Sequence, residues 1–132
     1  MNGFHISSVI HTGEYNRKGD IIMTRGDIVF VHNEQGKSTG SEWKKDRPAI
    51  IVSNNTCNQH SPVIEVVFTT TSRRKRLLPT HVILHSTRLT SVALCEAVYS
   101  VDKSRIEECG MCVDQKEMRK IDHALKVSLG LI

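Results

Sequence analysis

A mainly β domain, built as a small curled barrel with one amphipathic helix at its C-terminus, is the fold class this sequence predicts. Three observations predict it: six short runs of β-forming apolar residues, long polar stretches between them, and one terminal segment with helical periodicity. A chain of 132 residues suffices for one domain with one core, and 39% hydrophobic with 24% charged residues is the balance of an ordinary globular protein. No apolar run is long enough to span a membrane. The N-terminus lacks a charged start followed by an apolar core, so no secretion signal is read. The expected location is the cytoplasm, where the four cysteines stay thiols.

Residues 1–22 stand apart as an N-terminal extension. They show no sustained period, and Glu14, Arg17, Lys18 and Asp20 cancel, so the formal net charge of +4 belongs to the remainder. Two readings stay open: sequence upstream of a natural start at Met23, or an arm, disordered or packed on the domain or a partner. The domain proper is then 23–132.

Ile28–Val31 is the first strand. Residues 33–46, with Gly36, Ser38, Thr39 and Gly40, form a polar loop of a length that is usually functional in compact domains. Ala49–Val52 is the second strand, unbroken in apolar character and so expected to be buried on both faces. Asn54–Ser61 reads as a loop carrying Cys57 and His60. Val63–Thr71 is the third strand, apolar to Phe68 and then threonine-rich, followed by a loop of adjacent cations, Arg73, Arg74, Lys75 and Arg76. His81–Leu84 is a fourth strand and Val92–Val101 a fifth; residues 101–106 make a single helical turn, and Glu108–Val113 is the last strand. Asp114 and Glu117 form a capping pair. Met118, Ile121, Ala124, Leu125, Ser128 and Leu129 recur at helical spacing, so residues 114–129 form a helix packed on the sheet and ended by Gly130.

Arg47 is the last charge before the second strand. Pro48 lacks an N–H and biases Arg47 towards extended backbone, holding a guanidinium at the rim of the sheet. There it can grip a phosphate in a two-pronged way without losing its charge. Lys37, Lys44 and Lys45 precede it on one loop, and Arg73, Arg74 and Lys75 lie on another. Antiparallel pairing of the second and third strands would bring both clusters to one end as a positive groove for a nucleic-acid backbone. Taken singly, each cation is a solvated surface charge. Trp43 is placed either to stack on an unpaired base or to fold back on the domain. Thr69, Thr70 and Thr71 are first of all good β-formers; one of them across from Arg47 is a candidate donor to a phosphoryl oxygen.

Several separated motifs occur in order: Thr24-Arg25-Gly26-Asp27-Ile28-Val29, Gly40-Ser41-Glu42 before Arg47-Pro48, Ser53-Asn54-Asn55, Leu78-Pro79-Thr80-His81-Val82, and the ending Ser128-Leu129-Gly130-Leu131. In this the chain resembles the MazF/PemK family of toxin endoribonucleases from about Met23 to Ile132. The resemblance implies an SH3-like barrel (CcdB/MazF/PemK-like), a symmetric homodimer, and metal-independent, cofactor-free, sequence-specific cleavage of single-stranded RNA. It also implies a cognate, MazE-like antitoxin whose acidic C-terminal segment occupies the RNA groove. By position, the family's catalytic Arg falls on Arg47, its catalytic Thr on Thr70, and the loop serine that helps hold the scissile phosphate on Ser41. Gly40, Glu42, Trp43, Lys44, Lys45, Arg73, Arg74 and Lys75 are the residues expected to contact RNA. Where relatives often have Glu-Gln-Ile-Arg, this chain has Glu96-Ala97-Val98-Tyr99, so no cleavage sequence transfers.

These residues suit transesterification without a metal. The ribose 2′-hydroxyl already lies beside the phosphate, so proximity is built into the substrate, and the products would be a 2′,3′-cyclic phosphate and a 5′-hydroxyl. Arg47 and Thr70 can stabilise the extra phosphoryl charge. An Arg is a poor general base near neutrality. Glu42 is a nearby candidate base, although balancing Lys44 and Lys45 is its simpler role.

Other signals carry less. Cys109-Gly110-Met111-Cys112 is a C-x-x-C, but with Cys57 and Cys95 apart from one another a second close pair is missing, so buried thiols are expected rather than zinc. The seven histidines show no metal-ligand spacing; His81 is read as a structural hydrogen bonder and His60 as a candidate RNA contact. A non-enzymatic CcdB-like toxin relies on a Trp near the C-terminus, where this chain has Ser128 to Ile132. An SH3-like binding module needs several exposed aromatics, and the chain has three Phe, two Tyr and one Trp in all.

Overall fold

The computed structural model describes residues 9–10 (backbone), 22–33, 46–72, 77–87 and 90–132. β-Branched runs become strands and the periodic C-terminal segment becomes a helix. The elements are β1 (Val9–Ile10), β2 (Asp27–Val31), β3 (Arg47–Ile51), α1 (Asn55–His60), β4 (Val63–Thr70), β5 (His81–Leu84), β6 (Ser91–Leu94), β7 (Tyr99–Asp102), a 3-10 turn (Lys103–Arg105), β8 (Ile106–Cys112) and α2 (Gln115–Ser128).

All strand pairs are antiparallel, in the order β1-β8-β2-β3-β4-β6-β5, with β7 also on β4. The sheet is open: β1 and β5 are its two ends. β4 organises it. One edge carries β3 against Val66–Phe68; the other carries β7 against Val63–Val66 and then β6 against Thr69–Thr70. β4 is therefore shared between two sheet segments and hands over partners just before its end.

Two apolar cores result. Ile28, Ile50, Val67, Val82, Leu84, Ala93 and Val113 pack with Ile121 and Ala124 of α2. Val29, Val31, Ala49, Ile51, Ile64, Val66, Phe68 and Val101 are enclosed without that helix. Successive residues of β3 and β4 alternate between the cores, which is why Ala49, Ile50 and Ile51 are all 0% exposed, as their unbroken apolar run predicts.

Three expectations are revised. The segment after Asn54 is the helical turn α1, because the Asn54 side chain accepts from Cys57 N at 2.8 Å and caps it. The fifth strand is two, β6 and β7, separated by a turn at Cys95–Glu96. Val9–Ile10, within the N-terminal extension, pair with Cys112 and Met111. The capping pair is half formed. Asp114 accepts from Glu117 N at 2.7 Å, but the Glu117 carboxylate turns inward, accepting from His85 N at 2.6 Å, Ser86 N at 3.3 Å and the Ser86 hydroxyl.

The Thr24–Asp27 motif is a hub. Gly26 has φ +96°, a conformation side chains rarely adopt. Its N–H donates to Ile51 O at 2.8 Å and its carbonyl accepts from Val113 N at 3.0 Å. Arg25 donates through Nε to Val52 O and pairs through Nη2 with Asp122 of α2 at 2.7 Å.

Glu117 is 5% exposed and is the tie between α2 and the segment after β5. Glu117→Ala should cost about 2–4 kcal/mol, because it strands buried donors, and should lower Tm by on the order of 10 °C. Lys116→Ala, on the exposed face, should leave Tm within about 2 °C. Thermal unfolding by circular dichroism checks both; equal Tm values for the two variants would contradict the tie.

Candidate active site where β3 begins and β4 ends

Ala49 lies opposite Phe68, Ile50 opposite Val67 and Ile51 opposite Val66. Continued outward, that register sets Arg47 across from Thr70. Directly opposed residues of an antiparallel pair face the same side, so the guanidinium and the hydroxyl share one face. Arg47 opens β3 and Thr70 closes β4.

The Arg47 side chain is held from two sides. Its Cζ lies 4.6 Å from the centroid of the Phe68 ring, a cation–π contact. Its Nη2 donates to Thr69 O at 3.5 Å, the long end of the hydrogen-bond range. Phe68 is 2% exposed and forms a firm floor. Thr70 Oγ1 accepts from Ser72 N at 3.1 Å, which uses a lone pair and leaves the O–H to donate. Thr69 points to the other face, where its hydroxyl donates to Pro48 O at 3.4 Å. The middle of the three threonines is the one on Arg47's face.

A second cluster braces the residue before Arg47. His32 Nδ1 lies 2.8 Å from Asp46 Oδ2, and Nε2 lies 2.9 Å from Glu107 Oε1. Asp46 Oδ1 also accepts from Asn33 N at 3.0 Å. The His32 carbonyl accepts from Arg105 Nε at 2.8 Å, and its N–H donates to Arg105 O. The ends of β2, β3 and β8 thus meet on one imidazole. Its hydrogen bonds to Asp46 and then to Glu107 raise its pKa above the usual value. The His32 bond, followed by that from Asn33 N, lowers the pKa of Asp46. Sequence reasoning missed this cluster, because a His bracketed by acids distant in sequence gives no local signal.

The expected RNA contacts Gly40, Ser41, Glu42, Trp43, Lys44, Lys45, Arg73, Arg74 and Lys75 lie outside the described residues. The segments that carry them join β3 and β4 at the same end, since those strands are antiparallel neighbours. His60 closes α1, before the start of β4. The length of β4, about 20–25 Å, separates that point from Thr70, so His60 is not part of this cluster. His81 is a structural bonder: Nδ1 accepts from Leu78 N at 3.0 Å and Nε2 meets Glu96 Oε2 at 3.2 Å.

Burial pushes the Cys95 thiol up to about 12, with Glu96 adding to the shift. Burial likewise raises Cys109 and Cys112. All three stay protonated near neutrality, where thiols are poor nucleophiles and poor ligands. Among the described residues no group of three or more His, Cys, Asp or Glu is placed to hold a metal ion.

Comparison with known proteins adds to this geometry. The family model described as PemK-like, MazF-like toxin of type II toxin–antitoxin system matches residues 24–129. Endoribonuclease MazF of Staphylococcus saprophyticus is 32% identical over 114 residues, which cover 83% of this chain and 93% of that protein. Endoribonuclease EndoA of Bacillus subtilis is 34% identical over 116 residues, covering 85% and 98%. A mycobacterial endoribonuclease solved in complex with its cognate antitoxin superposes with a TM-score of 0.69 at 29% identity, covering 83% of this chain and 97% of that one. MazF from Deinococcus radiodurans superposes at 0.70 over 84% and 99%; its 23% identity speaks to the fold alone.

The His32 brace should depend on pH with a defined sign. A raised histidine pKa means the brace is fully present below the ordinary value of 6.5 and is lost as pH rises through the higher folded value. The lowered Asp46 pKa sets the acid limit: its share is present above 3.8 and lost as pH falls through the depressed value. NMR titration of the His32 ring protons should give a midpoint above 6.5, and Asp46→Asn should move it down. A midpoint at or below 6.5 would contradict the brace.

Proposed function

Because the chain belongs to the family of PemK-like, MazF-like toxins of type II toxin–antitoxin systems, we propose that it is a sequence-specific endoribonuclease toxin. We assign Arg47 and Thr70 as its catalytic side chains. The observation that carries the assignment is their common face at the adjoining ends of β3 and β4, with the guanidinium within 3.5 Å of the carbonyl just before Thr70.

The substrate is single-stranded RNA. Its 2′-oxygen attacks the neighbouring phosphorus, the bond from phosphorus to the 5′-oxygen breaks, and a 2′,3′-cyclic phosphate and a 5′-hydroxyl result. The 2′-proton leaves to a base, and the departing 5′-oxygen gains a proton. Arg47 clamps the phosphate and stabilises the charge that builds on its oxygens. Phe68 supports the guanidinium through its ring face. Thr70 donates its O–H to a phosphoryl oxygen. Ser41 is the further phosphate contact and Glu42 the candidate base. Gly40, Trp43, Lys44, Lys45, Arg73, Arg74 and Lys75 form the RNA-binding surface, and their charge supplies most of the attraction to the backbone. No metal takes part, because the nucleophile is internal to the substrate and the charge is met by Arg47.

The mycobacterial relative solved with its cognate antitoxin supports a parallel partner here. An antitoxin with an acidic C-terminal segment would occupy the same groove, and the toxin itself would act as a homodimer. No helix among the described residues is long and apolar enough to cross a membrane. The cytoplasm, where messenger RNA is exposed, is the proposed place of action.

In EDTA the protein should cleave a defined single-stranded RNA, leaving the two ends named above. Arg47→Ala should lower kcat by roughly 100-fold or more, the cost of removing a preorganised charge donor. Thr70→Ala should cost less than Arg47→Ala, and Thr70→Ser should restore activity. End-group analysis and single-turnover rates measure this. Cleavage abolished by the chelator rejects the metal-free reaction; full activity of Arg47→Ala rejects the site.

A further inference from the structure

We infer that Tyr99 is a base-stacking platform which seats the nucleobase next to the clamped phosphate; the inference rests on the endoribonuclease reading above. Tyr99 begins β7 and lies opposite Val66 of β4. Val66 and Phe68 belong to one face of β4, and Arg47 and Thr70 share it. The Tyr99 ring packs on Phe68 with centroids 5.0 Å apart and planes tilted by 59°. Arg47 covers the same Phe68 ring at 4.6 Å. Guanidinium and exposed ring therefore both rest on one buried ring.

Phe68 and Tyr99 differ in one decisive way. Phe68 is core, but Tyr99 keeps 41% of its surface exposed. A ring braced on one side and open on the other is a surface on which a base can stack, at low entropic cost because the ring is already fixed. Its place two ring contacts from the phosphate clamp suits a nucleotide flanking the scissile bond. Among the described residues the other exposed aromatic is Phe30. Phe30 lies opposite Pro48, and Val31 opposite Arg47, so strand alternation turns Phe30 away from the site. Among the described residues Tyr99 is thus the exposed ring on the face that Arg47 shares. Stacking tolerates any base. Tyr99 therefore adds affinity and fixes the orientation of the flanking nucleotide rather than choosing its identity.

The test uses an RNA that the wild-type protein cleaves, resynthesised with a 2′-deoxynucleotide at the cleaved position so that it binds intact. Tyr99→Phe should bind like wild type, whereas Tyr99→Ala and Tyr99→Leu should weaken binding roughly ten-fold or more. Tyr99→Leu keeps Phe68 covered, so it reports on stacking if the alanine variant is poorly folded. Removing the base from one flanking nucleotide, by an abasic substitution, should weaken wild-type binding to the same degree and make the variants and wild type equal. Leucine-variant binding within roughly two-fold of wild type, or a loss that persists at full size on every abasic probe, overturns the inference. In that case a still-inactive Arg47→Ala leaves the nuclease reading standing. A wild-type protein that cleaves no RNA removes both.

Discussion

The register between β3 and β4 is the constraint on which the site depends. It is fixed from both faces: Ala49 and Ile51 fill one core, Ile50 fills the other, and each is wholly buried. Slipping β3 by one residue would exchange the two sets and carry Arg47 to the side packed under α2. An unpaired charge there would cost far more than the strand gains. The site is thus set by apolar residues that take no part in chemistry. Pro48 lies just beyond the Ala49–Phe68 pair of β3 and β4, and its carbonyl serves as acceptor for Thr69.

Charge is arranged around that register with equal economy. Arg47 lies against an aromatic face and a backbone carbonyl. Asp46, its immediate neighbour, has one carboxylate oxygen on His32 and the other on Asn33 N. A carboxylate engaged in that way competes less with an incoming phosphate. His32 gains a second acceptor in Glu107, so the same imidazole that occupies Asp46 also ties β8 to the start of β3.

Much of this was legible in the residues because local rules and tertiary demands agree. The strands β2, β3, β4 and β5 and the helix α2 follow from apolar runs and helical spacing, with the cap at Asp114 and the stop at Gly130 both present. The place of Arg47 at the start of β3 was legible because Pro48 marks it, whereas the residues alone left Thr69, Thr70 and Thr71 open and only the family resemblance singled out Thr70. The failures have specific causes. A run as short as Asn55–His60 has no period to detect, and only the Asn54 side chain makes it a helix. β6 and β7 merged because Cys95, Ala97 and Val98 continue an apolar pattern through a turn that carries no Gly or Pro. The inward turn of Glu117 and the His32 cluster join residues far apart in the chain, so no window contains them.

The motifs that carry the family resemblance do mostly scaffolding. Thr24–Asp27 joins β2, β3 and α2; Ser53–Asn55 caps α1 and contacts Asn58; His81 pins the turn at Leu78. Each needs a particular side chain because a backbone group depends on it. Tyr99 is different in kind. It is 41% exposed, and its ring rests on that of Phe68. The corner where β3 begins and β4 ends is thus held by residues that support the backbone, while Tyr99 beside it is held by its contact with one buried ring.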